Sequence, residues 1–364
     1  MASAVVLLWL ITGFATFFFI GPDFVGGHRH HLSISIPTSS PATSSSFSPQ
    51  AVAWDKAHRR FIVGGASPSH PSLFTISDTG NLEPLIPTLN EFPTNSAIMA
   101  LAVDPYTSRL IAVVSPSLSR VSSVLGVYDL RTLHRLSLTP LPGAAASAAA
   151  DFYGNAFITD PVANLVYKSN PDGILSVLSS SQILRLTEAE SQSVRQGLTG
   201  IVFVSNGFLL VAQKDSGRIF RIDAEDGVTK SVLTSGGNVT GAIGSVRRSD
   251  GNLVVVGERI AWLLKGRDNW AEATIIDELE WEHNLTAIDV TVKEGEKVYV
   301  LFRTVNGGDG AAEEQCFLKE IEFPKEAEGD HVWAFVLLGI GLGYVIFWRL
   351  QMGSLMKSMN KKTN

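Results

Sequence analysis

The chain carries a single cysteine, Cys316. That excludes an intrachain disulfide and any multi-cysteine metal site. A lone thiol in an apolar strand reads as a small core residue. Positive charge is also scarce. There are 29 Lys and Arg against 35 Asp and Glu, and the net charge is −6. With no basic stripe, nucleic acid is not expected as a partner. Nucleotide-binding loops, Cys/His zinc patterns and a Gly-x-Ser-x-Gly elbow are all missing. His58, His70, His134 and His283 fall into no Ser/His/Asp spacing. Charge is absent from Ala2–Ile20 and almost absent from Val332–Leu350, where Arg349 is the exception.

What the chain does have is repetition. The stretch Ser48–Gly65 (SPQAVAWDKAHRRFIVGG) is an apolar run ending at an Asp, a polar turn, and a second apolar run. That order predicts a β-hairpin. It recurs at Asn95–Ser115, Ala144–Asp160, Gly197–Gln213, Gly241–Gly257 and Asn284–Phe302. The copies lie roughly 42–54 residues apart, the period range of propeller blades. A third apolar run follows each hairpin: Leu73–Ile76, Val124–Tyr128, Leu165–Tyr167, Arg218–Ile222, Ile260–Leu264 and Phe317–Ile321. Several copies add a turn and a fourth run, as in Asn170–Leu178 and Asp223–Leu233. Alternation alone would fit a β-sandwich equally well. Its sixfold return predicts an all-β, six-bladed β-propeller over residues 47–323.

The sixth copy meets Pro324 with no fourth run. At the other end, Leu32–Ile36 (LSISI) alternates and stops at Pro37, ahead of the Ser/Thr/Pro/Ala linker Thr38–Ser46. This strand is expected to complete the sixth blade and remove an open edge. Leu184–Gln196 reads as a short helix or ordered loop, with a capping box at Thr187–Glu190. Asp55, Asp104 and Asp151 end the first strand of the first three copies and read as turn-capping residues.

The flanks predict a membrane protein. Residues 1–27 read as a signal peptide or an uncleaved signal anchor. Residues 28–46 form a tail with the closing strand and linker, and the histidines of His28–His31 read as part of that solvated tail. Residues 324–331 form a polar hinge, and 332–350 a transmembrane helix with Trp333 and Trp348 near its interfaces. Residues 351–364 form a basic tail. The positive-inside rule puts that tail in the cytosol and the propeller in the lumen, as a single-pass type I protein. Lys361 and Lys362 stand fourth and third from the C-terminus, like the dilysine retrieval signal of endoplasmic-reticulum membrane proteins. Asn238 and Asn284 head N-glycosylation sequons, each just before the first strand of a blade.

The repeats resemble the calcium-dependent phosphotriesterase-like superfamily. That group includes the senescence-marker-protein/gluconolactonase enzymes, the strictosidine-synthase-like proteins and the NHL-repeat propellers. SPQAVAWD is the phrase closest to it. The resemblance implies a six-bladed propeller. In lactonase-type members it also implies a calcium ion held by a Glu, an Asn and an Asp in the central channel. Those positions fall here on Gln50, on Thr199, and on Ala242 or Ile243. Both carboxylates and the Asn are replaced. The expectation is therefore a non-catalytic binding or scaffold module with no cofactor, whose ligand is a luminal protein or a small molecule. The alternative is a calcium-dependent hydrolase of ester, lactone or phosphotriester bonds. A strictosidine-synthase-like condensing enzyme would need a Glu that cannot be identified.

Overall fold

The computed structural model describes residues 33–36, 39–40, 43–67, 70–77, 80–86, 89–104, 106–116, 122–186, 197–304, 315–323 and 332–360. The readings placed on residues 1–27, on His28–His31, on the 324–331 hinge and on Lys361 and Lys362 lie outside this set. So does most of the 184–196 segment; its described residues, 184–186, start at the end of a 3-10 turn, Gln182–Leu184.

Almost every other element is a strand; apart from a short antiparallel pair, Ser39–Ser40 with Thr43–Ser46, inside the stretch read as a linker, the strands group into four-stranded antiparallel units. The first unit contains Ser48–Asp55, Arg60–Ala66, Ser72–Ile76 and Leu82–Ile86. The second contains Ser96–Asp104, Arg109–Pro116, Ser123–Asp129 and Arg135–Leu141. The third runs Ser147–Ala150, Ala156–Asp160, Leu165–Ser169 and Leu175–Ser179. The fourth runs Leu198–Val204, Phe208–Gln213, Ile219–Asp223 and Thr229–Ser235. The fifth runs Ala242–Arg247, Leu253–Gly257, Ile260–Arg267 and Glu272–Glu280. The sixth takes Leu285–Lys293, Lys297–Thr304 and Cys316–Ile321 from its own stretch of chain. Its outermost strand is Ser33–Ile36, with Ser33 opposite Lys319 and Ile36 opposite Cys316.

Local chemistry explains the hairpins. Asp55, Asp104 and Asp151 end the innermost strands of the first three units and are buried. Each carboxylate accepts bonds from its own turn. Asp55 takes the backbone N–H of His58 at 3.2 Å, His58 Nδ1 at 2.7 Å and Arg60 Nε at 3.1 Å. Asp104 takes Tyr106 N–H at 2.9 Å together with the Thr107 hydroxyl. Asp151 takes the N–H groups of Tyr153 and Asn155, each at 2.9 Å. Such Asp-headed turns offer the backbone a local partner exactly where the ladder ends.

The core lies between the units. Second strands such as Phe208–Gln213 and Leu253–Gly257 are buried along their whole length, which explains their unbroken apolar sequence. Apolar clusters join the first unit to the second, through Ile62, Leu73, Ile98 and Leu110, and the fourth to the fifth, through Phe208, Leu210, Val255 and Trp262. A further cluster joins the sixth to the first, where Ile34, Ile36, Phe61, Tyr299 and Cys316 pack together. Burying Ile34 and Ile36 stabilises the N-terminal strand by about 1.5–3 kcal/mol per side chain. Gly64 is required here for space: a Cβ on it would lie 2.7 Å from Ile98 Cγ2.

The innermost strand of each unit packs beside that of the next, and the sixth packs beside the first. Two further ladder links join neighbouring units: Ala66 of the first pairs with Ala97 of the second in antiparallel fashion, and the other is parallel. The outermost strand of the fourth, Thr229–Ser235, pairs in parallel with that of the fifth, Leu233 opposite Glu272.

Residues 322–364 form a separate compact unit. Its described element is the helix Val332–Asn360. The expected transmembrane segment is thus helical and runs on beyond Leu350. Among the described residues, however, no helix is long and apolar enough to cross a membrane.

Candidate binding channel

The six innermost strands surround a cavity of about 470 Å³. Every unit contributes wall residues: Val52 and Trp54, Leu101 and Val103, Ala148 and Ala150, Ile201 and Phe203, Ser245 and Arg247, Asp289 and Thr291. The cavity opens toward the turns that follow these strands, since Lys56, Ser249 and Glu294 also line it.

Five innermost strands carry a bulge near their start. One residue is left unpaired between Pro49 and Ala51, Ile98 and Ala100, Leu198 and Gly200, Ala242 and Gly244, and Ala287 and Asp289. The unpaired residues are therefore Gln50, Met99, Thr199, Ile243 and Ile288. Bulges bend a strand and re-aim its side chains. They also fix the register that the sequence left open: Ile243, not Ala242, is the equivalent of Gln50 and Thr199.

None of these sequence-derived positions lines the cavity. Gln50 is half-buried and its Nε2 donates to Ser48 Oγ at 3.2 Å. The buried Thr199 hydroxyl donates to the Ala242 carbonyl at 2.8 Å. Ala242 is fully buried and Ile243 half-buried, and neither brings a side-chain oxygen. Calcium needs six to eight oxygen ligands, usually including carboxylates. One neutral amide and one committed hydroxyl do not fit it. Among the described residues, no three His, Cys, Asp or Glu side chains are grouped as a metal site would group them.

The cavity instead holds a residue the sequence reading passed over. Asp289 follows the bulge of the sixth unit. Its Oδ2 accepts the backbone N–H of Val52 at 2.8 Å, across the junction of the sixth and first units. Its Oδ1 accepts the N–H of Val290, also at 2.8 Å. Protein surrounds the carboxylate, and the surface it keeps faces the cavity. Desolvation raises its pKa to about 7 against the pull of the two N–H donors. The clue in the sequence was an acid inside the apolar strand LTAIDVTV.

Blade-to-blade polarity differs around the wall. Ser245 Oγ and Arg247 Nε are buried without a hydrogen-bond partner. The second, third and fourth units present a largely apolar wall, and Phe203, on the unit next to Ser245 and Arg247, carries it outward to Phe152 at a ring distance of 5.4 Å. The sequon residues Asn238 and Asn284 are both exposed, on the face where innermost strands begin. Asn238 Nδ2 donates to the Ser216 carbonyl at 3.0 Å.

No protein-family model matches the chain, and no curated protein does either. Solved structures do. The crystal structure of the major allergen Mala s 1 of Malassezia sympodialis superposes with a TM-score of 0.61 at 14% identity, covering 81% of this chain and 99% of that one. Streptogramin B lyase gives 0.52 at 11% identity, with 80% and 87% covered. The β-propeller domain of Myceliophteria thermophila Cps50 (Swd1) gives 0.52 at 12% identity, with 80% and 100% covered. The chain is a β-propeller. At these identities the likeness speaks for the fold alone, and the calcium-dependent superfamily is not established by it.

Proposed function

We propose that the chain is a six-bladed propeller, tethered to a membrane and luminal, that works as a non-catalytic binding module. The observation that carries this reading is the channel itself. A cavity of about 470 Å³ lies within the 300–1,000 Å³ range of ligand pockets. At the positions where lactonase-type relatives hold their metal, the hydroxyl of Thr199 is committed to a neighbouring carbonyl. Ile243 there is aliphatic.

Membrane tethering rests on the helix Val332–Asn360. Leu337, Ile340, Leu342, Val345, Phe347 and Trp348 are all exposed on it. A helix that is apolar all round belongs in lipid or in a protein core. The span read from the sequence also counts Val332–Val336, whose side chains lie outside the described set. Charge asymmetry supports a luminal propeller, and Lys361 and Lys362 support retention in the endoplasmic reticulum. Asn238 and Asn284 are the proposed glycan acceptors.

The test is calorimetric titration of the purified protein with calcium, alongside turnover of lactone, ester and phosphotriester substrates. The expected result is no binding up to millimolar calcium, no turnover, and no effect of Gln50→Ala or Thr199→Ala. Micromolar calcium binding together with turnover would overturn the reading in favour of the hydrolase.

A further inference from the structure

The cavity's outer mouth has two unlike sides. On one side stand aromatic rings from three units. Tyr106 lies 6.3 Å from Phe152 between ring centroids, Phe152 lies 4.5 Å from Tyr153, and Phe152 lies 5.4 Å from Phe203. Phe203 belongs to the cavity wall, and Tyr106 and Tyr153 are exposed beside it.

On the other side the wall is charged, with Lys56, Arg247, Asp289 and Glu294. Acids and bases there mostly cancel: Arg59 pairs with Glu294 at 3.6 Å, and Arg248 with Asp250 at 2.9 Å. Lys293 is stacked over Trp54 at 4.7 Å. Two cations and one acid remain on the cavity lining, and both oxygens of that acid, Asp289, are taken by the backbone N–H groups of Val52 and Val290. Lys56 is exposed, Arg247 is half-buried, and neither has an ion pair among the described residues. The Nε–H of Arg247 also lacks an acceptor. A buried donor in that state calls for a partner. A carboxylate matches it, because the guanidinium fork offers two parallel N–H groups.

We propose that this mouth takes a small amphipathic monoanion, a carboxylate on an aryl or alkyl body, with its head at Arg247 and Lys56 and its body against Phe203 and the Phe152 cluster. The assignment rests on the binding-module reading and names its ligand class. A cation would be repelled by the two unpaired charges, and a strongly polar anion would desolvate against the aromatic side.

The probe is 4-phenylbutyrate, with 4-phenylbutylamine and 4-phenylbutanol as cationic and neutral matches. Each is titrated calorimetrically into the full chain in lipid nanodiscs, with protein-free nanodiscs as the blank. The carboxylate is expected to bind about tenfold more tightly than either match, the scale of one partly buried charge contact. Arg247→Gln should erase that preference. Lys56→Gln, at an exposed turn position, should reduce it about threefold, and it remains informative if Arg247→Gln fails to fold. Equal binding of all three probes, or a preference unchanged in both variants, overturns the anion assignment and leaves the binding channel standing. No binding by any probe overturns both. Turnover of a lactone or ester with the carboxylate preference intact overturns only the non-catalytic reading.

Discussion

Asp289 gives a sharp test of how the ring is held together. Its carboxylate bridges the sixth and first units through the Val52 N–H and is held well above the ordinary carboxylate range, near 7. Unfolded, the same group titrates near 3.8. Between those values the folded chain binds the extra proton, so stability falls as pH rises, and the loss is complete above about 7. At ~1.4 kcal/mol per tenfold, the interval sets an upper bound of about 4 kcal/mol. The opening of Asp289 onto the channel reduces it. Asp160 is raised as well, by burial, so the wild-type slope alone does not isolate Asp289. The comparison with Asp289→Asn does. The amide keeps the size and removes the charge, but it turns an N–H donor toward Val52 or Val290, at a cost of about 1–3 kcal/mol. Urea unfolding of wild type and variant, followed by tryptophan fluorescence from pH 5 to 8.5, should show the variant losing less stability as pH rises. A difference that stays constant across that range, or grows against the variant, would refute the argument.

Other substitutions test the fold and the tether. Ile34→Ala and Ile36→Ala should each cost about 2–5 kcal/mol, read by chemical denaturation, because both side chains are buried at the closing junction. Gly64→Ala forces a Cβ against Ile98 and should cost about 1–3 kcal/mol; an unchanged thermal midpoint would mean that contact yields freely. Asn238→Gln and Asn284→Gln, expressed in a secretory host, should each remove one glycan-sized step in gel mobility. Lys361→Ser with Lys362→Ser should release the protein to the cell surface, measured by surface biotinylation.

Much of the fold was legible because its signals are local. An Asp, a turn and a return strand fall within about twenty residues, so Ser48–Gly65 and its later copies announce their hairpins. The alternation of Leu32–Ile36 and the missing fourth run after Phe323 are two halves of one pairing, and both can be seen from the chain alone. Bulges are different. A bulge is a one-residue mismatch between two strands, and the pattern of either strand alone does not contain it. The register of Ala242 and Ile243 therefore stayed open until the pairing was seen. The parallel link between Thr229–Ser235 and Glu272–Glu280 was hidden for the same reason. The site was the least legible part. Its wall takes a few residues from each of six strands, and Asp289 and Arg247 acquire meaning only where those strands converge.

The strand Ser33–Ile36 has a consequence for biosynthesis. Its partner, Cys316–Ile321, lies nearly the whole propeller away along the chain. At ribosomal speeds of about 5–20 residues per second, the first strand waits on the order of 15–60 s for the last to appear. Five units can assemble from neighbouring chain in that time, but the sixth cannot finish. Until it does, the growing molecule carries an apolar strand that lacks its ladder partner, with Ile34 and Ile36 missing the cover that Tyr299, Leu301, Cys316 and Leu318 provide. At the ring's other side the Cys316–Ile321 edge is unpaired when it emerges. Both are templates for the wrong partner. The order of synthesis thus makes the newborn chain most dependent on shielding by other factors in the interval just before its two ends meet.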